Sequence, residues 1–174
     1  DAGGLGFSTT LSRTHSDGDG EPVASRWATN EELMAFAKVV SEHEGTTLEY
    51  ASDGCLDGFS EADIQFMIDF SLTGQRPLNW NVLTIDSHEP ERYRTQIEAM
   101  DRCAEAGAKV VALTLPILVG MNMSFLTYCA LNMMPDWGPI LGLPLDERMA
   151  KLRDPETRSF MADPSLAAAM ERAG

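Results

Sequence analysis

Asn79 and Asn81 stand two positions apart in Leu78-Asn79-Trp80-Asn81-Val82-Leu83, so an extended strand puts both amides on one face and Trp80 on the other. Asparagine is disfavoured in strands. A pair of them on one face points to polar work, either hydrogen bonding to a substrate or a network inside a closed sheet. Glu49 lies in a second strand-like run, Thr46-Thr47-Leu48-Glu49-Tyr50. A carboxylate facing inward there must be paired, protonated or bound to a metal, because burying it alone is costly. The alternation also allows it to face an outer helical layer near a lysine. Arg13 and His15 sit in the loop after a first strand, just before the acidic turn Asp17-Gly18-Asp19-Gly20-Glu21. There His15 suits the binding of a carboxylate or a metal, although a lone loop histidine is also commonly just solvated.

Other groups carry weaker signals. Asp17-x-Asp19-x-Glu21 is spaced like the start of a calcium loop, but Ala28 occupies the position of its closing glutamate. His43 falls at a helix end, where a cation complements the dipole. His88 precedes a helix opening, and Asp86 lies near it. Ser8 has no Gly-x-Ser-x-Gly elbow, and Gly3-Gly4-Leu5-Gly6 falls short of a dinucleotide fingerprint. Ser52, Asp53, Thr84, Thr114, Asn122 and Ser124 fall at strand ends or in the loops beyond.

The elements that must position these residues follow a βα rhythm of roughly 30 residues. Thr29 with Glu32 reads as a capping box, Leu33, Phe36, Ala37 and Val40 recur at helical spacing, and Gly45 offers a stop. Ser60 with Asp63 repeats the box ahead of Ile64, Met67, Ile68 and Ser71, ending at Gly74. A third helix is predicted to open at Pro90, to bury Tyr93, Ile97, Met100 and Ala104, and to stop at Gly107. Gly4 to Ser8, Thr46 to Tyr50, Leu78 to Leu83 and Lys109 to Leu115 are the predicted strands. Strands alternating with helices form a parallel sheet, either open and doubly wound or an arc of a (β/α)8 barrel. Residues 1–134 read as four βα-type units, and 135–174 as a turn-rich segment with short helices, all in one partial barrel domain.

The 174 residues, 44% hydrophobic, suffice for one domain with a sizeable core. With 27 acidic and 13 basic side chains the formal charge is −14, which repels phosphate backbones and anionic membranes. Nucleic acid and membrane are therefore not expected as partners. Residues 110–135 carry no charge, but Pro116, Gly120, Asn122, Asn132 and Pro135 interrupt the run, so a buried strand and an apolar loop are expected. Cys55, Cys103 and Cys129 are odd in number and form no CxxC, which favours a reducing, cytoplasmic setting.

Three stretches carry a family resemblance: residues 1–9 (DAGGLGFST), residues 27–33 (WATNEEL), and Leu143-Pro144-Leu145-Asp146-Glu147-Arg148 running on through Arg158. In this order they resemble the metal-dependent amidohydrolases that include N-acyl-D-amino-acid deacylases and D-aminoacylases. The resemblance implies a (β/α)8 TIM-type barrel of about 250 residues, of which this chain would form about half. It also implies zinc or another divalent metal that activates water against the amide of an N-acyl-D-amino acid. The family's His-x-His would lie upstream of Asp1 and its catalytic aspartate beyond Gly174. No histidine occurs in Asn79-Trp80-Asn81-Val82-Leu83, where deacylases place histidines late in the strand. The expectation is thus a fragment that holds no metal of its own, in which Arg13, His15, Glu49, Asn79 and Asn81 line the substrate. Its open edges should pair with the rest of a barrel or with a second copy. The alternative is a non-catalytic domain of a degenerate amidohydrolase that binds a small molecule or a partner chain. A third reading is a stand-alone α/β domain that hydrolyses with Glu49, Asp53 and His15.

Overall fold

A computed structural model describes residues 3–85, 89–117, 122–133 and 137–161. Four strands, β1 (Gly6–Thr10), β2 (Thr47–Ala51), β3 (Leu78–Leu83) and β4 (Val110–Thr114), form one sheet in the order β1-β2-β3-β4. Every pair is parallel. Helices α1 (Asn30–Ser41), α3 (Glu61–Gly74) and α4 (Arg92–Glu105) make the crossovers, with the single turn α2 (Gly54–Asp57) before α3. The α/β class and the four strands read from the sequence are present, each strand within two residues of its expected start.

The register explains which face is packed. Leu48 is level with Leu78 and Tyr50 with Trp80, and all four are buried. They join Leu33, Ala37 and Val40 of α1, Ile64, Met67 and Phe70 of α3, and Ala99 and Cys103 of α4 in one cluster. The three long helices therefore cover the same face of the sheet. Each large side chain removed from water there contributes about 1.5–3 kcal/mol.

The caps follow the sequence. Ser60 Oγ accepts from the Asp63 amide at 3.2 Å and the Asp63 carboxylate accepts from the Ser60 amide at 2.9 Å, a complete capping box. Thr29 Oγ1 accepts from the Glu32 amide at 3.2 Å. The left-handed residue that ends α3 is Gln75, φ 50°, one beyond the expected stop at Gly74. Gly74 is needed for contact instead, because a Cβ there would stand 2.6 Å from Leu48 Cδ1.

The third long helix departs from expectation. It opens at Arg92 rather than Pro90, and it turns Gln96, Ala99 and Cys103 to the sheet. The expected stripe meets the core only in part: Met100 is half-buried and packs against the core cluster, Tyr93 is half-buried, and Ile97 and Ala104 are exposed. Gln96 is accommodated because its Nε2 donates to the Gly54 carbonyl (3.2 Å), which also accepts from the Gly58 amide, and to the Cys55 carbonyl (3.0 Å).

The chain divides into two compact units. One comprises Asp1–His15 with Val23–Val119 and holds the sheet. The other comprises Ser16–Pro22 with Gly120–Gly174. The second contains α5 (Gly138–Leu141), α6 (Leu145–Arg153) and α7 (Pro155–Met161). Arg148 anchors it by donating to the Leu143 carbonyl from Nε at 3.1 Å and to the Phe125 carbonyl from Nη1 at 2.7 Å. The expected alanine-rich tail helix lies outside the described residues. Among the described residues, no helix is long and apolar enough to cross a membrane.

Candidate functional site

Alternation sends the residues between the core positions to the opposite face of the sheet. Ser8, Glu49, Asn79 and Val111 lie at one level across the four strands, and Asn81 and Leu113 at the next. Glu49, Asn79 and Asn81 are half-buried, and Ser8, Val111 and Leu113 are exposed. Glu49 thus faces away from the helical layer, which decides between the two orientations that alternation had allowed. Parallel sheets are ordinarily covered on both faces. Here the second face presents polar groups at its centre and apolar ones toward β4.

Glu49, Asn79 and Asn81 form one hydrogen-bonded row. Asn79 Nδ2 donates to Asn81 Oδ1 at 3.0 Å, and Asn81 Nδ2 donates to Glu49 Oε1. The direction has a cause: a carboxylate accepts, so Asn81 turns its NH2 toward Glu49 and its oxygen toward Asn79. Glu49 Oε2 and Asn79 Oδ1 take no part in these bonds and remain as acceptors. The ladder shifts register between Asn81 and Leu83, an irregularity of the kind that re-aims side chains at a strand end.

A second cluster ties the strand-end loops together. The Arg13 guanidinium meets Asp57 Oδ2 at 2.7 Å through Nη1, and Asp53 Oδ2 at 3.3 Å. The Arg13 amide donates to Asp53 Oδ1 at 2.7 Å, and Ser12 Oγ donates to the same atom at 3.3 Å. The hydrogen bond from Arg13 holds the Asp57 carboxyl below its ordinary range, and Asp57 in turn raises the Arg13 guanidinium. Arg13 therefore stands between two carboxylates rather than open to an anion. Asp57 gave no signal in the sequence because α2, the turn that carries it, has too few residues to show a period.

The remaining candidates take no part in the hydrogen bonds of the row. His15 is exposed, and only its backbone is engaged, its carbonyl accepting from Arg26 Nη1 at 3.3 Å. His43 likewise uses its carbonyl, which accepts from Arg76 Nη2 at 2.6 Å at the far end of α1. Asp17 folds into a local turn, its Oδ1 accepting from the amides of Asp19 (2.9 Å) and Glu21 (3.0 Å). Thr114 Oγ1 donates to the Leu83 carbonyl at 3.1 Å. Ser124 Oγ accepts from the Leu126 amide at 3.1 Å, and Asn122 and Thr84 are exposed. Asp86 and His88 lie outside the described residues.

Zinc binds through His, Cys and carboxylate ligands, three or four at a time. Among the described residues no group of three or more His, Cys, Asp or Glu side chains could hold a metal ion. Glu49 is joined in its row by amides, so these residues do not fit a zinc centre. What the row can do is bind: it offers hydrogen-bond acceptors on a half-buried surface. Comparison with protein-family models, with curated proteins and with solved structures finds no match.

Proposed function

We propose that the sheet is an arc of a (β/α)8 barrel of the amidohydrolase kind, and that the Glu49-Asn81-Asn79 row lines the substrate pocket of a hydrolase acting on N-acyl-D-amino acids. The observation that carries this reading is the sheet's open face. Strands in sequential order with every long helix on one side leave a second face that a closed barrel turns inward.

The helical layer agrees. Residues Asn30 and Met34 mark the side of α1 that meets α3, and Phe36 (45% exposed) and Val39 (54% exposed) lie round the other side. On α4, Arg102 pairs with Glu61 of α3. Ile97 (37% exposed) and Tyr93 lie round the opposite side. Both ends of the layer thus carry apolar flanks of the sort that a further helix covers. Family resemblance in residues 1–9, 27–33 and 143–158 supplies the reaction class, and it brings zinc or another divalent metal from elsewhere in the barrel.

A second reading is favoured by the chemistry of the row itself. Glu49 is already engaged by an amide, and the row lacks the donor set of a metal, which suits a domain that binds a small molecule without transforming it. Incubating the intact protein with N-acetyl-D- and N-acetyl-L-amino acids, with metal content measured in parallel, separates the two. Metal-dependent release of free D-amino acid supports the hydrolase, and Asn79→Ala should then raise KM more than it lowers kcat. Binding without turnover, at less than one equivalent of zinc, selects the binding domain. Neither binding nor turnover would sink both.

A further inference from the structure

The open face and the strand-end loops share an electrostatic bias that bears on which substrate the proposed pocket takes. Among the described residues of that face, namely Gly6, Ser8, Thr10, Thr47, Glu49, Ala51, Asn79, Asn81, Val111 and Leu113, Glu49 is the charged side chain. Arg13, the cation contributed by the loop after β1, is held at 2.7 Å and 3.3 Å by Asp57 and Asp53, so that cluster carries one net negative charge. The hydrogen-bond direction adds to the charge. Asn81 donates to Glu49 and Asn79 to Asn81, which leaves Glu49 Oε2 and Asn79 Oδ1 as acceptors beside the second N–H of each amide. A ligand that meets the two acceptors must bring donors. An anionic side chain would meet the Glu49 carboxylate with no counter-charge in this row.

We infer that the Glu49-Asn81-Asn79 row selects ligands bearing a cationic group, so that among N-acyl-D-amino acids those with a basic side chain are preferred over neutral and acidic ones. The inference rests on the pocket reading above. A positive group of three donors, such as a primary ammonium, matches the acceptor pair, and the formal charge of −14 on the chain favours its approach at low ionic strength.

Calorimetric titration of the intact protein with Nα-acetyl-D-lysine, with N-acetyl-D-norleucine, whose side chain is uncharged, and with N-acetyl-D-glutamate tests this. The lysine derivative should bind at least about tenfold more tightly than norleucine, a difference of about 1.4 kcal/mol. The preference should shrink as salt is raised. Glu49→Gln, checked for folding by circular dichroism, should abolish the preference. Equal or weaker binding of the lysine derivative, or a preference that survives Glu49→Gln, overturns the inference. If the glutamate derivative binds best and is hydrolysed, the inference falls while the amidohydrolase reading stands. If none of the three binds at millimolar concentration, both fall.

Discussion

Asn81 donates its side-chain amide to the Glu49 carboxylate across the β2–β3 boundary, and takes a hydrogen bond from Asn79 in return. This couples two strands through side chains on a face that the helices do not cover. Removing the centre of the row leaves a half-buried carboxylate and an amide without their partners. Asn81→Leu is therefore expected to cost about 1–3 kcal/mol, read as a lower urea midpoint at unchanged m. Asn79→Leu, which removes the outer member alone, should cost less.

Gln96 makes a different prediction because it is buried and apolar neighbours surround it. Its amide satisfies the carbonyls of Gly54 and Cys55 and so ties α4 to the turn after β2. Gln96→Leu keeps the volume and removes both bonds, leaving the Gly54 carbonyl its bond from the Gly58 amide but the Cys55 carbonyl without this donor, for an expected loss of about 1–3 kcal/mol. Ile97→Gln, one position along on the exposed flank, should change stability by less than about 0.5 kcal/mol. Chemical denaturation of the two variants side by side distinguishes a polar tie from a generic core position.

The Arg13–Asp57 pair sets a pH dependence. Asp57 titrates lower in the folded state than in the unfolded chain, so its contribution is present above the ordinary aspartate value of about 4 and is lost as pH falls through the lower folded value. Both side chains are about half exposed, and solvent screening limits the pair to about 0.5 kcal/mol. Asp57→Asn should lower stability by about that much at neutral pH and by progressively less as acid protonates the carboxyl in the folded state. Equal destabilisation at neutral and acid pH would show that the pair is not the cause.

Burial pushes the thiols of Cys55 and Cys103 above their ordinary value, whereas Cys129 is partly exposed. The thiolate is the reactive form. Iodoacetamide at about pH 8 should label Cys129 first, and Cys55 and Cys103 only as the chain unfolds, as mass spectrometry of the peptides would report. Early labelling of Cys103 would mean that α4 does not stay packed on the sheet.

The edges of the sheet give the last prediction. Backbone groups on the outer sides of β1 and β4 invite pairing, and Val111 and Leu113 next to the β4 edge are 42% and 43% exposed. The chain is expected to self-associate, with a mass that rises with concentration above 19.0 kDa in light scattering. Charge repulsion opposes it, so added salt should promote it. A clean monomer over a wide concentration range would contradict this.

Local chemistry made much of the fold legible. Ser60 and Asp63 announce a helix start because their side chains reach amides only three residues away, and Leu48, Leu78 and Trp80 announce strands because apolar side chains recur with the pleat. The Asn79/Asn81 pair is legible for the same reason, since period two puts both on one face whatever surrounds them. Tertiary structure decided the rest. Tyr93, Ile97, Met100 and Ala104 form an apolar stripe as good as any, yet of these only Met100 packs against the core, and the buried place goes to Gln96, whose amide bonds the carbonyls of Gly54 and Cys55. Glu49 could have faced either layer, and the register Leu48–Leu78 and Tyr50–Trp80 gave the other face to the helices. Arg13 looked available to a substrate until α2 brought Asp57 to it from 44 residues away in sequence. Periodicity reports which residues share a face, because that depends on the backbone alone. Which partner each face meets depends on contacts between distant segments, and these exist only once the chain has closed on itself.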